Sequence, residues 1–124
     1  MAGLRSLVCV VDDDESVRES LPDLLREFGY SAQAFASAES FLAAGVLEPA
    51  CCLILDVAMP GMSGPELYRE LLRRGIVTPV IFITARSDEA VKRSVLALGA
   101  VACLFKPFGE QELRAALAAA LPGG

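Results

Sequence analysis

The stretch CCLILDVAMPGMSGPELYRELLRRG, residues 51–75, decides the fold. Its first five residues, Cys51–Leu55, are all apolar. A run that short and that apolar reads as a strand buried on both faces. It ends at Asp56. A helix start follows, in which Ser63 can cap, Pro65 suits an early helical position and Glu66 can reach back to the cap. Leu67, Leu71 and Leu72 then recur at helical spacing until Gly75 gives a stop.

The same alternation repeats in both directions. Short apolar runs occur at Leu7–Val11, Val80–Ile83 and Val101–Phe105. Ser31–Ala36 alternates and reads as a weaker edge strand. Helical stripes are Val17, Leu21, Leu24, Leu25 and Phe28 before Gly29, then Val91, Val95 and Leu98 before Gly99, then Leu113, Leu117 and Leu121. A shorter helix is predicted over Ala38–Ala44. Five strand-then-helix units predict an α/β fold with a five-stranded parallel sheet and helices on both faces. Right-handed crossovers leave the flavodoxin-like, doubly wound strand order 2-1-3-4-5 as the common small solution. Pro22 falls inside the first helix, where it removes a backbone bond to Arg18, and a bend is expected there.

Composition narrows the function. The 124 residues suit one domain, and 54% hydrophobic with 22% charged residues excludes a disordered chain. Nineteen alanines against eight aromatics suit helices packed closely on a flat sheet. No apolar run approaches the ~18 residues needed to span a membrane. Nothing at the start reads as a secretory signal: Met1 to Arg5 carries one positive charge, and the apolar run after it ends at Asp12. A net charge of −5 leaves no basic footprint for nucleic acid. With no His, a His-based metal site and a Ser-His-Asp triad are excluded. Cys9, Cys51, Cys52 and Cys103 each sit inside an apolar run without C-x-x-C spacing, as reduced core thiols do.

In open parallel sheets, ligands bind beyond the carboxyl ends of the strands. The residues following the apolar runs are Asp12, Asp13 and Asp14, then Asp56, then Thr84, then Lys106 and Pro107. Gathered carboxylates repel one another and invite a cation, and an oxygen-only ligand set suits a hard ion such as Mg2+. A lysine and a hydroxyl beside them suit a phosphoryl group. No Gly-rich phosphate loop exists, so the phosphoryl group is expected on the protein itself, with Asp56 as carboxylate nucleophile.

The motifs V-V-D-D, L-I-L-D-x-x-M-P-G-M-S-G, F-I-T-A and F-K-P-F, in that order, resemble the receiver domain of bacterial two-component response regulators. The resemblance runs from Leu7 to about Leu121. F-L-A-A-G and K-P-F look most like the FixJ-type receivers, which usually precede a DNA-binding domain. The resemblance implies that Asp56 is the phosphoacceptor for a histidine kinase. Asp13 and Asp56 would ligate Mg2+, with the backbone carbonyl of Ala58 as third ligand and Asp12 acting through water. Thr84 would bond the phosphoryl oxygens, Lys106 would pair with their charge, and the Lys106–Pro107 bond would be cis. It further implies a phosphorylation-dependent homodimer, through a face made by the helix from about Asp88 to Leu98, the last strand and the last helix. A cytoplasmic location follows, with no membrane and no direct nucleic-acid contact by this domain. Residues 1–121 would form the receiver, and residues 122–124, Pro-Gly-Gly, the start of a linker to an output domain.

Such a chain is a switch that catalyses only its own phosphotransfer and dephosphorylation. The alternative is a small Mg2+-dependent phosphatase or phosphotransferase of related fold, which normally needs extra residues for a substrate pocket. A receiver reduced to a docking module would lack the acid pair, Thr84 or Lys106. Asp14 and Glu15 read as acids at a helix N-terminus. Met59-Pro60-Gly61-Met62 reads as a turn, and Arg69, Arg73 and Arg74 as a solvated helix face. Ala58 and Arg86, two residues past Asp56 and Thr84, place no acid or amide near an attacking water. Cys103 departs from the family, where a Tyr or Phe three residues before the lysine swings as the threonine moves. It is expected on one side of its strand with Phe105, opposite Ala102 and Leu104, filling a core gap beside Val91 or Val95. Coupling would then run through Thr84 and the loop Ala85–Glu89.

Overall fold

The computed structural model describes residues 6–45, 49–85 and 89–121. Strands and helices alternate throughout: β1 (Leu7–Val11), α1 (Glu15–Glu27), β2 (Ser31–Phe35), α2 (Ala38–Ala43), β3 (Ala50–Asp56), α3 (Gly64–Arg73), β4 (Val80–Thr84), α4 (Glu89–Leu98), β5 (Ala102–Phe105) and α5 (Glu110–Ala120). All strand pairs are parallel, in the order β2-β1-β3-β4-β5. The predicted edge strand is therefore an edge, and β1, β3 and β4 form the buried centre.

Side-chain alternation along the central strands divides the core into two layers. Cys9, Val11, Leu53, Leu55 and Phe82 pack with α2, α3 and α4 through Phe41, Leu67, Leu71 and Val95. Val8, Val10, Ile54, Ile81 and Ile83 pack with α1 and α5 through Leu21, Leu25, Leu113 and Leu117. Each fully buried Leu or Ile contributes roughly 2 kcal/mol by transfer from water.

Caps place the helices. Ser63 accepts from Glu66 N at 3.2 Å while Glu66 Oε1 accepts from Ser63 N at 2.8 Å, so the capping box read from the sequence is formed. At the end of α1, Gly29 takes φ +100°, Gly29 N donates to the Arg26 carbonyl and Tyr30 N to the Leu25 carbonyl. That pair of bonds is a Schellman stop, available to glycine because it has no Cβ. Gly75 and Gly99 repeat it.

Several boundaries differ from the sequence expectation. β3 and β4 each run one residue further, so Asp56 and Thr84 are the last strand residues rather than the first loop residues. The cause is backbone pairing: Asp56 is in register with Ile83, and Thr84 with Phe105. β5 begins at Ala102 rather than Val101. Pro22 is buried inside α1, which continues through it to Glu27. Asp88, Arg86 and the tail 122–124 lie outside the described residues. Among the described residues, no helix is long and apolar enough to cross a membrane.

Candidate functional site

The ends of four strands, β1, β3, β4 and β5, deliver the site. β1 ends at Val11, and the next residue, Asp12, is fully buried, its N–H donating to the Phe35 carbonyl at 3.0 Å. Asp12 Oδ1 accepts from Asp14 N at 2.9 Å. Arg18 donates to the Asp12 carbonyl at 3.0 Å, tying α1 to the same turn. Asp14 caps α1 through Ser16, which holds its carboxyl below the usual range, so it serves the helix as expected. Asp13 is exposed beside them.

Asp56 reaches this corner from β3 and is 5% exposed. Its carboxylate oxygens and those of Asp12 and Asp13 include a set lying within 4.8 Å of one another. Lys106, just past β5, brings Nζ to 2.9 Å from Asp12 Oδ2 and 3.6 Å from Asp56 Oδ1. This is an ionic contact: among the described residues Asp12 Oδ2 accepts no aligned hydrogen bond. Lys106 N donates to the Thr84 carbonyl at 2.7 Å, which sets the lysine beside the end of β4, and its bond to Pro107 is cis. Thr84 itself is 7% exposed. By alternation its side chain shares a face with Phe82 and Phe105.

The charges perturb one another strongly. Burial pushes the Asp56 carboxyl up to about 7, the Asp12 charge adds to the rise, and Lys106 opposes it. Burial draws the Lys106 ammonium down, but Asp12 and Asp56 outweigh it and the net direction is up. A buried carboxylate that resists ionisation, beside two more acids and one cation, is short of positive charge. The donor set is oxygen alone, which fits a hard divalent ion. The carbonyl of Ala58, in the exposed turn after β3, accepts no hydrogen bond among the described residues and is free to serve as a further oxygen.

Three contributors to the site were not legible in the sequence. Gly64 approaches so closely that a Cβ there would overlap the Asp56 carbonyl oxygen. The available signal was a glycine in the first turn of an otherwise well-started helix, where it is a poor helix former. Arg18 and Glu39 act through backbone contacts that only the folded chain creates. Away from the site, Cys103 is buried in the layer containing Val91 and Val95, opposite Ala102 and Leu104. Phe105 carries the Lys92 ammonium over its ring at 5.5 Å, on the α4 side. All four cysteines are free, and Cys51 alone is only half-buried. Arg73 and Arg74 both pair with Glu70 on the outer face of α3.

A family model described as the response regulator receiver domain matches residues 8–118. The response regulator protein TodT of Pseudomonas putida is 43% identical over 122 residues, covering 98% of this chain and 53% of TodT. The transcriptional regulatory protein FixJ of Azorhizobium caulinodans is 43% identical over 114 residues, covering 92% of this chain and 54% of FixJ. The chain thus spans about half the length of these curated relatives. Among solved structures, the one titled FixJ-N superposes with a TM-score of 0.83 at 35% identity, covering 94% of each chain. The response regulator StyR gives a TM-score of 0.86 at 42% identity, covering 95% of this chain and 60% of StyR.

Proposed function

This chain belongs to the response regulator receiver family, and on that premise we propose that it is a phosphorylation switch served by a histidine kinase. The observation that carries the reading is the corner at the strand ends, where buried Asp56 lies within reach of Asp12 and Asp13, and Lys106 reaches both Asp12 and Asp56. In the proposed step an Asp56 oxygen attacks the phosphorus of a phosphohistidine. The new P–O bond forms as the P–N bond breaks, and the electron pair leaves with the imidazole nitrogen. Asp13, Asp56 and the Ala58 carbonyl would hold Mg2+, with Asp12 behind them through water. Bound there, Mg2+ would neutralise charge on the phosphoryl oxygens. Lys106 moves its ammonium from the carboxylates to the phosphoryl group, and Thr84 hydrogen-bonds a phosphoryl oxygen.

The domain turns over no external metabolite in this reading, and it works in the cytoplasm on an output module outside this chain. Transcription is the output we favour, because relatives at this identity carry that word in their names. The same acids would also serve a phosphatase, so turnover separates the two. Multiple turnovers of a phosphomonoester would replace the switch with an enzyme.

Asp13 offers the cleanest test of the metal, since it is exposed and its replacement spares the core. Asp13→Asn is expected to weaken Mg2+ binding by about tenfold, read by NMR titration. Unchanged affinity would move the metal elsewhere.

The proposed homodimer uses α4, β5 and α5, the face next to Thr84 and Lys106. Light scattering with beryllofluoride, an acyl-phosphate mimic, should show the mass rise toward a dimer. Cys103→Ser is expected to leave both phosphoryl uptake and dimer affinity within about twofold of the parent, because it exchanges one side-chain atom away from the site and adds no bulk. Cys103→Tyr overfills a site that is 5% exposed and should shift dimer affinity more while uptake persists. Loss of uptake in Cys103→Ser would place this residue in the reaction centre.

A further inference from the structure

We propose that Glu39, in the first turn of α2, is a positioning residue that holds the loop carrying the Ala58 carbonyl; the inference rests on the metal site proposed above. Glu39 Oε2 accepts a hydrogen bond from Met62 N at 3.2 Å, across 23 residues of sequence. Among the described residues this is the one hydrogen bond made by the backbone of residues 58–62. The two ends of the loop are anchored separately. Val57 N donates to the Ile83 carbonyl at 2.9 Å, Gly64 N to the Val57 carbonyl at 3.1 Å, and Ser63 N to Glu66. The middle depends on Glu39 and on the buried Met59 side chain.

The approach is built from both sides. Gly61 takes φ +74°, and a Cβ there would lie 3.1 Å from Glu39 Oε2, so the glycine lets the turn close on the carboxylate. Glu39 is in turn fixed by its helix. Ser37 and Ser40 cap α2 reciprocally, and Phe41 is fully buried edge-to-face with Phe35 at 5.5 Å. Glu39 is exposed and has no ion-pair partner among the described residues, so no cation competes with Met62 N for its acceptor oxygen. An acid in the first turn of any helix favours the helix dipole, but that accounts for neither the Met62 contact nor the glycine facing it.

Removing the acceptor loosens the loop without touching a metal ligand. Glu39→Ala should therefore raise the Mg2+ concentration for half-maximal phosphoryl uptake from acetyl phosphate by about fivefold, while the rate at saturating Mg2+ stays within about twofold of the parent. Glu39→Gln keeps an acceptor oxygen and should match the parent in both. Amide exchange at Met62 should be faster in Glu39→Ala alone. A parental Mg2+ dependence in Glu39→Ala would overturn the proposal, as would Glu39→Gln behaving like Glu39→Ala. If the parent itself takes up no phosphoryl group, the reading of the site has failed, and unchanged Met62 exchange in Glu39→Ala would then overturn the tether as well.

Discussion

In Mg2+-free buffer with a chelator, Asp56→Asn is expected to melt above the parent, and the gap should widen from pH 5 to pH 8. The folded Asp56 carboxyl is pushed from an ordinary 3.8 to about 7, first by burial and then by Asp12. Between those values the folded state holds more protons than the unfolded one. Stability of the parent therefore falls as pH rises through that window. The rise is worth at most about 4 kcal/mol, and relaxation around Lys106 leaves a smaller observed gain, on the order of 1–3 kcal/mol at pH 8. For a domain of this size that is several degrees in Tm, or roughly 3–5 °C per kcal/mol. The same variant should take up no phosphoryl group, since the amide is no nucleophile. Parallel pH profiles for parent and variant would show that Asp56 ionises in the fold without penalty.

The second large effect has the opposite sign from its usual one. Gly→Ala inside a helix ordinarily stabilises by about 1 kcal/mol. Gly64→Ala should instead destabilise by about 2–4 kcal/mol. Its Cβ would overlap the Asp56 carbonyl oxygen and lie 3.1 Å from Phe82 Cε1. Neither side can yield easily. Asp56 is paired into the sheet opposite Ile83, and Gly64 N is bonded to the Val57 carbonyl. Relief must come from moving α3 or the end of β3, so Mg2+ affinity should fall together with Tm. A Tm at or above the parent's would contradict this packing.

The sheet was legible because each central strand is a short run that is apolar on both faces. Period and length agreed at Leu7–Val11, and Gly29, Gly75 and Gly99 marked stops that the backbone uses. The acids, Thr84 and Lys106 were legible as neighbours because parallel strands deliver their ends to one edge. Their pairing was not. The F-K-P-F motif placed Lys106 at the site edge, but that its ammonium bridges Asp12 and Asp56 is set by the folded loop after β5. Contacts such as Glu39 with Met62 join residues far apart in the chain, and composition carries no trace of them. The ends of β3 and β4 were misjudged by one residue because polar side chains at Asp56 and Thr84 concealed backbones that still pair.

The central claim is that Asp56 becomes an acyl phosphate. Incubating the protein with acetyl phosphate and Mg2+, then mapping the adduct by peptide mass spectrometry after borohydride reduction, tests it directly. The account predicts a single adduct of about 80 Da per chain, dependent on Mg2+, with the reduced residue at position 56. An unmodified Asp56, or a phosphoryl group on any other residue, would contradict it.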